Sequence, residues 1–324
     1  MLSEFNIIRQ CFDQEGLSAP ESEIVKAGIG DDCALLSIPV GKELALSMDT
    51  LVADVHFPSS AEPALIGART LSVNLSDLAA SGAEPCVFTL GITLPEADPD
   101  WLMAFAEGLK TVASRYNCAL IGGNISRGPL VITVQVHGLV ETGKAILRNG
   151  ASPGDNIFVT GTLGQAGLAL KYILGELDGF SAEEDALLQN AYFKPLPRIE
   201  AGLVLASFVS AGIDISDGLL ADLGHLCQSS GTGAEITLPA VPVSTLLKHR
   251  LSEQEALAMA MTAGDDYELL FTARPENEQS IMALSLQLDV PIHRIGTMTS
   301  DSQVICKDAE GTEISFEKDG YQHF

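Results

Sequence analysis

The chain has 324 residues, of which 46% are apolar and 19% are charged, a composition typical of a globular protein long enough for two domains. Its 43 acidic and 18 basic residues give a formal net charge of −25, which disfavours nucleic acid and anionic membranes as partners. An acidic protein can still bind a polyanion when divalent cations lie between its carboxylates and the phosphates. The six cysteines form no C-x-x-C pair, and the N-terminus lacks a basic start before an apolar block. We therefore expect reduced thiols and a cytoplasmic protein.

The N-terminal half alternates helical and strand patterns. Residues 3–15 have the apolar spacing of a short helix. The further predicted elements are strands at 43–57, 86–94 and 130–140 and helices at about 61–82 and 99–117. The segment 130–148 has the pattern of a long antiparallel hairpin. This order predicts an α+β sheet covered on one face.

A domain boundary is predicted at "RNGASPGD" (148–155), where Gly, Ser and Pro precede a fresh strand. The predicted domains are 1–149 and 150–324. The second contains helical patterns near 164–175, 184–193, 197–209, 217–230 and 276–288 and strand patterns near 234–238, 267–273 and 292–298. The fold class is therefore α/β (α+β), with two α/β domains.

Aspartates recur beside glycines and at the ends of apolar runs. They occur in "GIGDDCA" (28–34), "LSMDT" (46–50), "NLSDLAASGA" (74–83) and "DISDGLLADLG" (214–224). A turn or a helix cap explains Asp32, Asp49 and one of Asp214 and Asp217, whereas Asp77 lies inside a helical pattern with no cap to make. Together they supply oxygen ligands without Cys or His beside them, the donor type of Mg²⁺. The residues concerned are Asp32, Asp49, Asp77, Asp214 and Asp217.

Two glycine-rich segments need a separate interpretation. Gly138–Lys144 fits G-x-x-x-x-G-K, but Ala145 replaces the Ser or Thr of a phosphate loop, and the segment has the pattern of strand, turn and strand. Gly161–Gly167 follows a strand and opens a helix, so its amides could hold an anion. The preferred interpretation of the second segment is a turn whose backbone conformation glycine permits.

The ordered motifs "GIGDDCA", "LSMDTLVADVHF", "NLSDLAASGA", "IGGNISRGP", "ILRNGASPGD", "VTGTLG", "DISDGLLADLG", "AGDDYELLF" and "GYQHF" resemble the thiamine-monophosphate kinase family over essentially the whole chain. That family belongs to the superfamily of aminoimidazole ribonucleotide synthetase and selenophosphate synthetase. The resemblance implies two α/β domains of the aminoimidazole ribonucleotide synthetase-like fold, with ATP in the cleft between them. It also implies a homodimer in which the N-terminal domains form a central β-barrel.

The resemblance implies transfer of the ATP γ-phosphoryl group onto thiamine monophosphate, giving thiamine diphosphate. Asp32, Asp77 and Asp217 match catalytic positions. The positions that match Mg²⁺ ligands are Asp32, Ser47, Met48, Asp49, Asp77, Asn124, Asp214 and Asp217. The nucleotide positions are Gly123, Asn124, Arg148 and Ser216, and those for thiamine phosphate are His56, Asp265 and Tyr321. A monovalent cation is a further candidate cofactor.

Three residues depart from the family pattern. Asn124 stands where the family has Asp, Met48 where it has Thr, and Asp265 where it has Glu. Asn124 keeps an oxygen but loses a charge, and Met48 could act only through its backbone carbonyl. Two alternatives stay open: a related ATP-dependent synthetase of the superfamily, and a catalytically impaired homologue that binds nucleotide or metal.

Overall fold

The computed structural model describes residues 4–317 and 320–321. The chain forms two compact units. Unit 1 contains the residues up to Leu78 together with Ala83–Gly143, and unit 2 contains Ala79–Gly82 together with the residues from Lys144 onward. Over the described residues, no helix is both long and apolar enough to cross a membrane.

Unit 1 is built on a four-stranded sheet and two long helices. The sheet contains β3 (Lys42–Val52), β4 (Glu84–Leu94), β5 (Ala119–Arg127) and β6 (Val131–Glu141) in the order β3-β6-β4-β5. A small antiparallel pair precedes it, β1 (Val25–Ala27) and β2 (Leu35–Leu36). The helices are α1 (Glu4–Ile7), which continues as a π-helical turn (Ile8–Phe12), α2 (Pro63–Ala80) and α3 (Pro99–Tyr116). The predicted helices 61–82 and 99–117 agree closely with α2 and α3.

The alternation of β6 explains how this sheet is covered. Ile132, Val134 and Val136 have no solvent exposure, whereas the residues between them are half-exposed. A period of two places the buried set on one face, against the helices, and leaves the other face open. Within the described residues of one chain the four strands form an open sheet, so a closed barrel would require a second copy.

The predicted hairpin 130–148 is wrong in its second half. β6 ends at Glu141 and is followed by a turn and a loop without strand structure. Both edges of β6 already pair antiparallel with β3 and β4, so no edge remains for a further strand. β5 was not predicted because Gly122, Gly123 and Asn124 interrupt its apolar pattern.

Unit 2 contains a seven-stranded mixed sheet. Its strands are β7 (Asn156–Thr160), β8 (Ala211–Asp214), β9 (Gly233–Thr237), β10 (Leu269–Ala273), β11 (Ile292–Thr299), β12 (Val304–Lys307) and β13 (Glu313–Ile314), in the order β13-β12-β9-β11-β7-β10-β8. All neighbours pair antiparallel except β12 with β9. β7 and β10 are buried along their whole length, which makes them the core of this unit.

Seven α-helices are described in unit 2. They are α4 (Gln165–Ile173), α5 (Ala182–Phe193), α6 (Ile199–Leu205), α7 (Leu219–Ser230), α8 (Thr245–Arg250), α9 (Glu253–Thr262) and α10 (Glu278–Leu288). The sequence patterns predicted all of these except α8 and α9. α9 begins with a capping box between Ser252 and Glu255, a signal that marks a helix start but that the periodicity alone does not show.

Candidate functional site

The acidic motifs of β3 and α2 meet in unit 1. The Ser47 hydroxyl on β3 donates a hydrogen bond to the Asp77 carboxylate on α2. One turn earlier on α2, the Asn74 side-chain oxygen accepts from the backbone N–H of Asp49 at 3.0 Å. Asn74 is fully buried, and its amide donates to the Thr70 carbonyl at 2.9 Å. "NLSD" therefore fixes "LSMD" so that Ser47, Asp49 and Asp77 share the helix-covered side of β3.

Met48 and Asn124 lie on the other face of the same sheet. Because side chains alternate along a strand, Met48 points away from its neighbours Ser47 and Asp49. In the ladder, Asn124 is level with Gly91, which pairs with Thr133. The hydroxyls of Thr133 and Thr50 form a hydrogen bond of 2.8 Å. The structure thus does not bring Asn124 to the Ser47–Asp77 pair.

Asn124 is held by its own strand. Its amide donates to the Ser126 hydroxyl at 2.9 Å. The preceding Gly123 permits close strand packing, because a Cβ there would lie 1.9 Å from the Leu90 carbonyl oxygen. Any side chain at position 123 would push β5 away from β4, so this glycine is required for the position of Asn124.

Asp32 lies on the exposed loop between β1 and β2. Gly30 in this loop has φ 112°, a conformation that L residues rarely adopt. Val25, at the base of the loop, packs on Val87 and Ile121. The loop therefore has an anchored base and presents the Asp32 carboxylate to solvent.

His56 follows β3 in a tight turn. The backbone N–H of Val52 donates to His56 Nδ1 at 3.0 Å, so the neutral ring carries its proton on Nε2. Below the turn, Arg69 on α2 is 3% exposed and donates from Nε to the His56 carbonyl at 3.2 Å. Sequence reasoning missed Arg69, although a lone Arg in the apolar helical run "LIGARTLSV" was the available signal.

In unit 2 the acidic motif "DISDG" forms the turn between β8 and α7. Asp214 ends β8 and is 4% exposed. Asp222, one turn into α7, accepts with Oδ2 from the backbone N–H groups of Ser216, Asp217 and Gly218 at 3.0, 3.1 and 3.1 Å. Burial raises the pKa of Asp222 to about 7, the nearby charge of Asp217 adds to this, and the three amides oppose it. Sequence reasoning missed Asp222.

The loop before β10 is joined to this turn. Asp265 N–H donates to the Ser216 carbonyl at 2.9 Å, and Tyr267 N–H donates to the Ile215 carbonyl at 2.8 Å. The Tyr267 hydroxyl donates to Asp265 Oδ1 at 3.0 Å. The predicted substrate residue Asp265 is therefore adjacent to the predicted nucleotide residue Ser216.

The C-terminal segment reaches the same turn. Tyr321 N–H donates to the Asp217 carbonyl at 3.0 Å, and a Cβ on Gly320 would lie 2.6 Å from that oxygen. Gln322, His323 and Phe324 of the "GYQHF" motif lie outside the described residues. Asp217 and Tyr321 border an open cleft of about 1030 Å³ in unit 2, whose other walls are one face of α7, β12 and the segment after β13.

Neither glycine-rich segment provides a phosphate loop. Gly138–Lys144 lies on β6 and the turn after it and opens no helix. At the start of α4, the Asp266 carboxylate accepts from the N–H groups of Gly164 at 2.7 Å and Ala166 at 3.4 Å. The protein's own carboxylate thus occupies the amides that an anion would need, which agrees with the prediction of a turn whose backbone conformation glycine permits.

Arg148 is exposed, and its carbonyl accepts from the Ser230 hydroxyl at 3.1 Å. Its backbone is therefore anchored while its guanidinium is accessible. A second arginine, Arg198, instead forms a structural pair: Nε donates to Glu268 Oε2 at 2.6 Å. Arg148 thus offers an accessible guanidinium for bidentate recognition of phosphate.

The ligand atoms predicted for this site are of the type that binds Mg²⁺. The predicted ligands are carboxylates, a hydroxyl, an amide and a backbone carbonyl, which are hard oxygen donors. In residues 4–317 and 320–321, no three His, Cys, Asp or Glu side chains already stand together as a metal site. The roles assigned to these residues consequently stay predictions.

Residues 30–140 match the family described as AIR synthase related protein, N-terminal domain, and residues 152–308 match its C-terminal domain. A thiamine-monophosphate kinase of Salmonella typhimurium is 42% identical over 322 residues, covering 99% of this chain and 98% of the relative.

Two solved structures are similar over most of the chain. The crystal structure of thiamine-monophosphate kinase from Stenotrophomonas maltophilia is 40% identical, with a TM-score of 0.84 and coverage of 91% and 93%. A second, described as AaThiL complexed with AMPPCP and TMP, is 32% identical, with a TM-score of 0.78 and coverage of 91% and 92%. The chain therefore belongs to the thiamine-monophosphate kinase family of AIR synthase related proteins.

Proposed function

We propose that this protein transfers the γ-phosphoryl group of ATP onto the phosphate of thiamine monophosphate, producing thiamine diphosphate. The observation that carries the proposal is the 42% identity to a thiamine-monophosphate kinase over 99% of the chain. The neighbour described as bound to AMPPCP and TMP supports the pair of ligands. The predicted cytoplasmic location and a monovalent cation stay predictions.

Such a transfer demands alignment and charge neutralisation more than covalent chemistry. Both reacting molecules are anionic, and so is the protein. Mg²⁺ would neutralise phosphate charge when bound, and Arg148 would add a fixed positive fork. In unit 1 the proposed ligands are Asp32, Ser47, the Met48 carbonyl, Asp49 and Asp77, together with Asn124 at a position separate from the Ser47–Asp77 pair. In unit 2 they are Asp214 and Asp217.

The chain's own contacts hold these groups before any ligand arrives. Asp77 keeps the Ser47 hydroxyl oriented, and Asn74 fixes the backbone at Asp49. Gly123, Asn124, Arg148 and Ser216 are the proposed nucleotide contacts. Groups that are already fixed need not reorganise when the phosphates are aligned. Such preorganisation is a main source of rate enhancement in this class of reaction.

Thiamine phosphate is proposed to contact His56, Asp265 and Tyr321. The neutral His56 ring carries its proton on Nε2 because Nδ1 accepts from the Val52 N–H. Tyr321 lies on the unit 2 cleft, whose walls combine apolar residues with carboxylates. Such a surface suits an aromatic cation, since apolar walls accept the rings and carboxylates balance the positive charge.

The open face of the unit 1 sheet supports a homodimer. β3 is an edge strand of 11 residues, and its Leu46 and Met48 are 54% and 59% exposed. A long apolar edge is an aggregation hazard unless another strand covers it. We propose that a second copy covers it and closes a barrel, so Leu46→Glu should produce monomers in sedimentation. Leu286→Glu, at an 87% exposed position of α10, is the matched control and should sediment like the unaltered protein.

The activity is tested by incubating the protein with Mg²⁺, ATP and thiamine monophosphate and separating the products by chromatography. Stoichiometric thiamine diphosphate and ADP are expected. Asp77→Ala should lower the turnover by at least about a hundredfold, whereas Asp100→Ala, at an exposed position of α3, should not. ADP without thiamine diphosphate would favour a related synthetase, and no turnover would favour an impaired homologue.

A further inference from the structure

The backbone N–H groups of the turn between β8 and α7 are directed at a carboxylate of the protein itself. Three consecutive N–H groups, from Ser216 to Gly218, converge on one oxygen of Asp222. Asp222 is 2% exposed, so its carboxylate is enclosed. The carbonyls of the turn are also occupied: that of Ser216 accepts from Asp265, and that of Asp217 accepts from Tyr321. Every backbone group involved is therefore committed to the protein itself.

Three convergent amides at the start of a 12-residue helix are ordinarily an anion site. Here a side chain that belongs to the helix supplies the anion. A phosphate oxygen could not occupy the same position, because it would displace or repel the buried carboxylate. The turn can consequently offer a ligand only its side chains, the Ser216 hydroxyl and the Asp217 carboxylate, both of which are partly exposed.

We propose that Asp222 is a positioning residue that turns the amides of Ser216–Gly218 inward, so that the turn meets a divalent cation through the Asp217 carboxylate and binds no phosphate through its amides. The proposal rests on the proposed function for the role of the cation. Asp222 itself touches neither substrate nor metal. It acts by fixing the direction of Asp217, as outer groups do for metal ligands in general.

The test uses Asp222→Asn and Asp222→Ala in the full-length protein. Asn keeps one oxygen that accepts amides but lacks the charge that strengthens all three bonds, whereas Ala removes the acceptor. The matched control is Asp155→Asn. Asp155 is also in unit 2, is 4% exposed, and accepts from the Ser152 N–H at 3.0 Å and the Ser210 hydroxyl at 2.7 Å.

The first measurement is binding of Mn²⁺ alone, followed by electron paramagnetic resonance without nucleotide. Asp222→Asn should bind Mn²⁺ about tenfold more weakly, and Asp222→Ala more weakly still. Asp155→Asn should bind Mn²⁺ with unchanged affinity, even though its thermal midpoint falls as well. Unchanged affinity in Asp222→Asn, or an equal loss in Asp155→Asn, would overturn the proposal.

The second measurement separates this proposal from the proposed function. In steady-state kinetics, Asp222→Asn should raise the Mg²⁺ concentration for half-maximal rate by about tenfold and leave the KM for thiamine monophosphate within about twofold. A protein that makes no thiamine diphosphate but shows the Mn²⁺ contrast would refute the activity and support the role of Asp222. A larger KM for thiamine monophosphate with unchanged Mg²⁺ dependence would refute the role of Asp222.

Discussion

Asp265 and Tyr267 adopt left-handed backbone conformations, with φ values of 71° and 50°. Neither residue is glycine, so each conformation costs on the order of 1–3 kcal/mol and persists only where its surroundings hold it. Here the backbone hydrogen bonds to Ser216 and Ile215 do so. The strain brings the Tyr267 hydroxyl to the Asp265 carboxylate. The orientation of the Asp265 carboxylate therefore depends on its hydrogen bond with Tyr267.

Tyr267→Phe should therefore weaken the binding of thiamine monophosphate. We expect its KM to rise by about three- to tenfold, corresponding to one lost hydrogen bond of about 1 kcal/mol, with kcat and the KM for ATP nearly unchanged. Tyr172→Phe is the matched control, since the Tyr172 hydroxyl also bonds a carboxylate, that of Asp185. Steady-state kinetics with each substrate varied checks this, and equal KM values in both variants would contradict it.

Asp266 gives the stability of unit 2 a pH dependence. Burial is the main cause that raises its pKa to about 8, and the charges of Glu268 and Asp265 add to it. An unfolded Asp has a pKa of about 3.9. The folded state thus retains a proton that the unfolded state loses, and stability at this residue falls as pH rises from about 4 towards 8.

Asp266→Asn should flatten this dependence, because Asn has no proton to lose. The free energy of unfolding, measured in urea at pH 5, 6, 7 and 8, should fall less steeply in the variant. The difference in slope is at most about 1.4 kcal/mol per pH unit, the value for one proton. Parallel curves for the two proteins would show that Asp266 is ionised throughout this range.

At the scale of elements, α2 and α3 cross with two glycines at their contact. A Cβ on Gly67 would lie 2.2 Å from the Phe105 carbonyl oxygen, and one on Gly108 would lie 2.0 Å from the Ala64 carbonyl oxygen. Both separations are far below van der Waals contact, so the helix backbones touch directly. Since α2 also carries Asn74 and Asp77, the crossing of the helices determines where these two side chains lie on the sheet.

Gly108→Ala should destabilise unit 1 by about 2 kcal/mol, because overpacking exceeds the gain in helix propensity. Gly224→Ala in α7 is the contrasting substitution, since nothing lies within 4 Å of its added Cβ. It should raise the free energy of unfolding by up to about 1 kcal/mol. Urea titrations of both variants check the pair, and equal stability changes would contradict the close crossing.

For the whole molecule, the net charge of −25 makes bound cations a source of stability. Carboxylates close together repel one another, and a ligand that binds only the folded state stabilises it by mass action. Mg²⁺ with ATP at about a hundred times the dissociation constant should add about 2.7 kcal/mol. This corresponds to a rise in thermal midpoint of roughly 5–10 °C for the units affected.

Thermal unfolding with Mg²⁺ and ATP, with ATP and EDTA, and with neither ligand measures this effect. The rise should require both ligands, because ATP without a cation meets a negatively charged site. An equal rise with ATP and EDTA would show that the carboxylates do not act through a metal. A rise with NaCl alone would indicate only general screening of charge.

The sequence by itself determined the family, the fold class and most of the elements. The order of the motifs along the chain indicates the family. The periodicity of α2, α3 and β6 is a local property that neighbouring residues define. The mixed α/β fold with AIR synthase-related N- and C-terminal domains is confirmed. The domain boundary, the site residues, the Mg²⁺ and the homodimer barrel stay predictions.

Only the tertiary structure decided which motifs meet. The contact of Ser47 with Asp77 depends on the crossing of α2 over β3. The separation of Asn124 from that pair depends on strand register, because a shift of one residue moves a side chain to the other face. Asp222 and Asp266 showed no pattern that singled them out, and Arg69 gave only the signal of a lone arginine in an apolar helical run. Their roles come from buried backbone groups that need partners, and those groups become neighbours only after distant segments have packed together.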